Sequence, residues 1–274
     1  MLELPEAVVM AEQISKVLQG KRIVNVVANH SPQKLAWFYG DPEHYCDLLK
    51  EKIIDKATSY GGFVHIQAGE MCIIFNDGVG LRYFNSGEKL PVKHQLHLEF
   101  ADGSSLVGSV QMYGGLGVFS DGQLDNPYYV GAKQKPSPLT AAFDYHYFES
   151  LLTSEKKTLS VKAFLATEQR VPGLGNGVLQ DILWKARLHP RRKMASLSDL
   201  EFQKLFDAVK STLDEMTTQG GRDTERDLYG CQGGYQTILS RNTVGKPCPV
   251  CGTLIKKESY LGGRIYYCES CQRL

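Results

Sequence analysis

Four cysteines close to the end of the chain have the spacing of metal ligands. Cys248-Pro-Val-Cys251 is followed, after sixteen residues, by Cys268-Glu-Ser-Cys271. Each Cys-x-x-Cys pair forms a tight turn that directs two thiolates towards one point, and a β-hairpin between the pairs can bring them together. We therefore predict a structural Zn²⁺ bound by all four thiolates, in a small module whose folding depends on the metal. Two disulfides or a redox-active Cys-x-x-Cys are the alternatives.

The rest of the composition is that of a soluble globular protein. The chain has 274 residues, of which 42% are hydrophobic and 22% are charged. This length suffices for about two domains beside the zinc module. No apolar run is long enough to span a bilayer, and the first residues do not resemble a secretory signal. Cys46, Cys72 and Cys231 have no evident partners, which suits a reducing cytoplasm.

Positive charge is concentrated in two segments, although the net charge is only +1. Residues 155–193 contain nine Lys and Arg against three acids, and residues 241–274 contain six against two. Such segregation is typical of a protein that binds a polyanion. A solvated basic surface is the alternative.

The hydrophobic pattern changes twice along the chain. Residues 6–19 predict an amphipathic helix, and strand-like segments follow as far as residue 122. The predicted strands are 23–28, 63–66, 71–75, 96–100 and 105–110, and the predicted turns are Ala-Gly-Glu, Asn-Asp-Gly and Ala-Asp-Gly-Ser. This pattern indicates a β-sandwich or flattened barrel with a flanking helix.

The second half of the chain is predicted to be helical. A polar, Pro- and Gly-rich linker covers residues 122–140, and helical periodicity follows from 144 to 228. One helix starts at Ser198, a plausible N-cap with Glu201 three residues on. Residues 229–247 form a Gly-rich connection to the cysteine module.

A glycine-rich turn precedes another predicted helix, at 177–186. The sequence Gly173-Leu-Gly175-Asn176 lets the backbone approach a ligand closely, and the helix N-terminus offers free N–H groups. Together with the Asn176 amide, these groups can hold a phosphate oxygen. A helix-capping Asn after a structural turn is the alternative.

Three motifs in register resemble one enzyme family. The chain begins Met1-Leu2-Glu3-Leu-Pro-Glu6, its middle contains Arg170-Val-Pro-Gly-Leu-Gly-Asn176, and it ends in the four-cysteine hairpin. Together they resemble the formamidopyrimidine-DNA glycosylase / endonuclease VIII family of base-excision repair. The resemblance implies an α+β multidomain fold: a β-sandwich at 1–122, a linker at 123–143, a helix–two-turn–helix domain at 144–242 and a zinc finger at 243–274.

The resemblance also implies a partner and a set of contacts. The partner would be double-stranded DNA with a damaged base or an abasic site. It would be bound by a monomer in the cytoplasm at the nucleoid, with no membrane involved.

The residues expected to contact DNA are Gly175, Asn176, Arg264, His94, Lys162 and Leu116. Arg264 lies four residues before Cys268, whereas the family arginine is usually five before, so its side chain could face the other side of the hairpin. Leu116 is the candidate for an apolar wedge between bases. A structural role is the alternative for His94.

The catalytic residues of the family are only partly retained. Its usual nucleophile is the amine of an N-terminal proline, but Leu2 stands there and the terminal amine belongs to Met1. Gly62 stands where a helper lysine is usual, and Lys56 is the nearest lysine. Glu3 is expected to act as an acid or base. Glu6 is either a second site carboxylate or an ordinary first-turn acid.

These features predict a DNA glycosylase that removes a damaged base with weak or absent AP lyase activity. The alternative is a catalytically inactive protein that recognises damage or abasic sites. A zinc-containing protein–protein adaptor is a third, less supported hypothesis. Specificity for the lesion is expected to depend on loops such as 223–235.

Overall fold

The computed structural model describes all 274 residues, which form an α+β fold with four hydrophobic clusters of 26, 23, 6 and 3 buried residues. The helices are α1 (Leu4–Leu18), α2 (Tyr45–Leu49), α3 (Pro127–Gln134), α4 (Tyr145–Ser150), α5 (Val161–Ala166), α6 (Asn176–Lys185) and α7 (Asp199–Thr218). The strands are β1 (Ile23–Ala28), β2 (Ala36–Tyr39), β3 (Lys56–Tyr60), β4 (Phe63–Ala68), β5 (Met71–Phe84), β6 (Leu96–Phe100), β7 (Ser105–Ser120), β8 (Lys256–Tyr260) and β9 (Gly263–Tyr267). No helix has the length and apolar character that crossing a membrane would need.

Two long strands organise the N-terminal sheet. Its order is β1-β6-β7-β5-β4-β3, with β2 added in parallel to β7. One half of the β5–β7 pair continues into β6 and β1, and the other half continues into β4 and β3. The sheet encloses a core of 26 buried residues, which confirms the predicted sandwich.

The predicted Asn-Asp-Gly turn is wrong. Asn76 and Asp77 remain inside β5, and a β-bulge lies between Asp77 and Val79. Asp77 takes a φ of +55° there, a left-handed conformation that Asp tolerates better than most residues. The same local preference that suggests a turn is thus used to bend a continuous strand.

Helix α1 connects the sandwich to the helical part of the chain. Its Ala7, Met10 and Ile14 side chains belong to the sandwich core, whereas Leu4 belongs to the second core. That second core is rich in phenylalanine and is formed by α4, α5, α6 and α7.

The predicted capping box at Ser198 and Glu201 is confirmed at the start of α7. The predicted linker contains a helix of its own, α3, which begins after the cap residue Asn126.

The C-terminal hairpin packs on α6 through a third, small core. Trp184 of α6 contacts a cluster formed by Cys248, Ile255, Tyr266 and Cys268. Strands β8 and β9 pair antiparallel, with Ser259 opposite Arg264. This packing holds the hairpin against α6, the helix whose first residue is Asn176.

Candidate active site and nucleic-acid interface

The N-terminal residues run through a cleft between the sandwich and the helical region. The Leu2 amide donates to the Asp77 carbonyl oxygen at 2.6 Å, and the Leu4 amide donates to the Gly173 carbonyl oxygen at 2.9 Å. The Met1 ammonium group pairs with Glu225. The chain terminus is thus held from both sides of the cleft.

Glu3 is seated on the N-terminus of α6. Its carboxylate accepts hydrogen bonds from the amides of Gly177 and Val178, at 2.8 and 2.7 Å. A Cβ at Gly175 would lie 2.6 Å from the Glu3 carboxyl carbon, so glycine is needed for this approach. The free N–H groups predicted to hold a phosphate are therefore largely used by Glu3. This corrects the expected role of the helix tip and leaves Asn176 as its candidate for contacting DNA.

A buried arginine joins Glu3 to Glu6. Arg222 donates to both Glu6 carboxylate oxygens, at 2.9 and 2.7 Å, and its guanidinium lies 3.4 Å from Glu3. All three side chains are almost fully buried. Burial raises the pKa of Glu3 above its ordinary value, and the Arg222 charge opposes that rise. Glu6 therefore serves chiefly to hold Arg222, which sequence reasoning missed because 216 residues separate them.

The cleft beside the terminus has no lysine. It has a volume of about 380 Å³, and the residues that line it include Glu3, Trp37, Tyr39, Asp77 and Glu168. Gly62 also lines it, and a Cβ there would lie 3.0 Å from the Leu2 carbonyl oxygen. Lys56 lies at the exposed start of β3 and is not part of the lining.

Asn176 and Arg264 lie side by side. The Asn176 amide donates to the Arg264 carbonyl oxygen at 2.8 Å, and Gln180 accepts a hydrogen bond from the Tyr266 amide at 2.9 Å. Lys162 donates to the carbonyl oxygen of Tyr260 at 2.5 Å, next to the hairpin turn. The Arg264 side chain is exposed. Two predicted DNA-contacting residues, Asn176 and Arg264, thus form one surface, while Lys162 is 3% exposed and acts as a support for the hairpin.

Two other predicted contacts lie elsewhere. Leu116 has no exposed surface and belongs to the sandwich core, because its side chain points inward from β7. It cannot act as a wedge, and the exposed apolar side chain of the same strand is Met112, at 68%. His94 is also buried: it stacks on His30 and bonds through Nδ1 to the Pro91 carbonyl oxygen at 2.9 Å. This packing favours the structural alternative for His94.

The four terminal cysteines form a compact group. Their Sγ atoms all lie within 4.8 Å of one another, and no disulfide joins them. The Cys251–Cys268 and Cys248–Cys271 distances are 3.3 and 3.8 Å. A tetrahedral Zn²⁺ with bonds of about 2.3 Å requires sulfur atoms about 3.8 Å apart. The group therefore has the composition and nearly the dimensions of a metal site.

The comparisons with known proteins agree with this geometry. Residues 135–227 match the model of the formamidopyrimidine-DNA glycosylase H2TH domain. A formamidopyrimidine-DNA glycosylase of Streptococcus pneumoniae is 28% identical over 280 residues, covering 100% of this chain and 99% of that protein. One of Bacillus cereus is 27% identical over 278 residues, covering 99% of each chain.

A solved structure shares the same arrangement. The Lactococcus lactis Fpg bound to DNA containing N7-benzyl-Fapy-dG superposes with a TM-score of 0.85, at 25% identity and over 99% of this chain and 100% of that one. The match extends from the N-terminal Glu3 region to the cysteine hairpin. Over its whole length the chain is therefore similar to formamidopyrimidine-DNA glycosylases, and its residues 135–227 match the H2TH domain of that family.

Proposed function

We propose that this protein is a DNA glycosylase of base-excision repair that releases a damaged base by hydrolysis, without forming a covalent link to the sugar. One observation carries the proposal. Where its family has a free secondary amine, this chain has the peptide nitrogen of Leu2, which donates to the Asp77 carbonyl oxygen at 2.6 Å. A peptide nitrogen has no free lone pair and cannot attack the sugar.

The other amines offer no ready replacement. The Met1 ammonium is paired with Glu225, and no lysine lines the cleft. A Schiff-base intermediate needs a free amine within reach of the sugar C1′. Strand cleavage by elimination from such an intermediate should therefore be weak or absent.

Glu3 supports the hydrolytic step. Breaking the bond between C1′ and the base leaves positive charge on the sugar, and a fixed carboxylate stabilises that charge. The two peptide N–H groups of α6 and the Arg222 guanidinium hold Glu3 in one position. Such preorganisation is what electrostatic stabilisation of a transition state requires.

We assign DNA binding to the cleft and to the neighbouring surface that carries Arg264. Asn176 and Arg264 would contact the phosphates of a duplex with a damaged base or an abasic site, and Met112 would enter the space left by the flipped base. The relatives support this partner, since Lactococcus lactis Fpg has been solved in complex with DNA containing an abasic site. We assign the four-cysteine site to a structural Zn²⁺ and expect the protein to act as a monomer.

The alternative is a damage-recognition protein without catalysis. It is favoured by the ion pairs that occupy Glu3, Glu6 and the Met1 ammonium. A panel of duplexes with single lesions, scored separately for binding, base release and strand cleavage, distinguishes the two. Base release that yields strand breaks only after alkali supports hydrolysis. Tight binding without release of any base supports the alternative.

A further inference from the structure

Among the carboxylates around the chain terminus, Asp77 has the fewest partners. Glu3 is bound by two amides and Arg222, Glu6 is bound by Arg222, and Glu225 is paired with the Met1 ammonium. Asp77 accepts only one side-chain hydrogen bond, from the neutral amide of Asn76 at 2.8 Å. It therefore keeps lone pairs free for a further donor.

The strand is bent where Asp77 lies. The bulge in β5 and the φ of +55° put this residue in a conformation that costs about 1–3 kcal/mol for a non-glycine residue. A Cβ at Gly78 would lie 2.2 Å from the Tyr113 carbonyl oxygen, so the next residue must be glycine. Bulges commonly redirect a side chain beside an active site. Here Asp77 lines the same cleft as Glu3.

No cationic side chain of the cleft pairs with Asp77, so its carboxylate is available as a base. The cleft lining contains no Lys, Arg or His side chain. The Met1 ammonium and the Asn76 amide act on Asp77, whose charge in turn raises the pKa of the Tyr39 and Tyr113 phenols, and Glu3 lies on the same cleft. Burial raises the pKa of Asp77, while Asn76 and the ammonium lower it. A partly desolvated carboxylate of this kind is a better proton acceptor than one in water.

We propose that Asp77 is the general base of the hydrolytic reaction and takes a proton from the attacking water. The water oxygen bonds to C1′ as the bond between C1′ and the base nitrogen breaks. The departing base keeps the electron pair of that bond and takes a proton from solvent, and Asp77 later returns its proton to solvent. Glu3, fixed on α6, stabilises the charge on the sugar. This inference rests on the proposed glycosylase function and names the group that replaces the missing amines.

Asp77→Asn tests this role without changing the backbone. Asn also accepts a left-handed φ, and the carbonyl oxygen that binds the Leu2 amide is retained. Base release under single-turnover conditions, from the best duplex of the lesion panel, should fall by roughly 10²- to 10⁴-fold, as is usual for loss of a general base. Affinity for duplex with an abasic site should stay close to that of the wild type. The matched control is Asp125→Asn, an exposed carboxylate without an ion pair.

Chemical rescue separates a catalytic role from a structural one. Asp77→Gly keeps the left-handed conformation and opens a space for a small carboxylate. Added formate should restore part of the base release of Asp77→Gly and should not affect Asp77→Asn. Two results would overturn the inference and leave the glycosylase function standing. One is base release by Asp77→Asn at the wild-type rate, and the other is failure of formate to restore any base release by Asp77→Gly. Wild-type protein that binds damaged DNA but releases no base overturns the proposed function and this inference with it.

Discussion

Arg222 is the residue whose replacement tests the geometry of the site most sharply. Its guanidinium makes two hydrogen bonds with Glu6, at 2.9 and 2.7 Å, and lies 3.4 Å from Glu3. Arg222, Glu3 and Glu6 are 2%, 4% and 7% exposed. Arg222→Met keeps much of the side-chain volume but leaves two carboxylates buried without a cation.

The expected loss in the free energy of unfolding is about 3–5 kcal/mol, the usual result of removing one partner from a buried ion pair. Urea unfolding at neutral pH measures it. The loss should shrink in acidic buffer. A carboxyl group that is buried without a cation has a higher pKa in the folded state than in the unfolded state. It therefore destabilises the fold as the pH rises past its unfolded-state pKa, and it does not destabilise the fold at low pH, where it is protonated in both states. The double variant Arg222→Met with Glu6→Gln, which removes one of the orphaned charges, should recover part of the stability.

A loss below about 1 kcal/mol, the range of exposed ion pairs, would refute this reasoning. It would mean that water screens the cluster and that Glu3 is not fixed by Arg222. A large loss that does not depend on pH would also contradict it, because the cost would then come from packing and not from unpaired charge.

Three further predictions concern DNA binding and the hairpin. Arg264→Ala should weaken binding to duplex DNA and lower the slope of log K against log salt by about one, as loss of a single phosphate contact does; a slope equal to that of the wild type would remove Arg264 from the interface. Met112→Ala should weaken binding to duplex with an abasic site more than binding to intact duplex, whereas the control Val92→Ala, at a residue 78% exposed, should change neither. Removing metal with a chelator should abolish DNA binding and loosen the packing around Trp184, which tryptophan fluorescence reports, and Zn²⁺ should restore both; binding that survives metal removal would show that the hairpin folds without an ion.

The sequence identifies those parts of the site that depend on local patterns. The cysteine spacing predicts the thiolate cluster, and the Gly-Leu-Gly-Asn176 motif predicts the helix start that now carries Glu3. It also shows that Leu2 and Gly62 stand at the two positions where the family usually has an amine. Each of these signals lies within a few neighbouring residues, so one sequence suffices to find it.

What the sequence leaves out depends on contacts between distant segments. Arg222 meets Glu6 across 216 residues, and no local pattern announces that pair. Leu116 is misassigned because the glycine-rich stretch around it resembles a loop, although β7 continues through it to Ser120. The role of Asp77 is missed because Asn-Asp-Gly predicts a turn, whereas the structure has a β-bulge within β5 at this point. In all three cases, tertiary packing decides the role of the side chain.

Borohydride trapping tests the central claim, that base removal proceeds without an amine nucleophile. The protein is incubated with duplex containing its best lesion, borohydride is added, and base release is measured in parallel. Leu2→Pro, prepared with its initiator Met removed, supplies the free secondary amine and serves as the positive control. The account predicts base release by the wild type with no covalent protein–DNA complex. A trapped complex formed by the wild type as readily as by the control would contradict it.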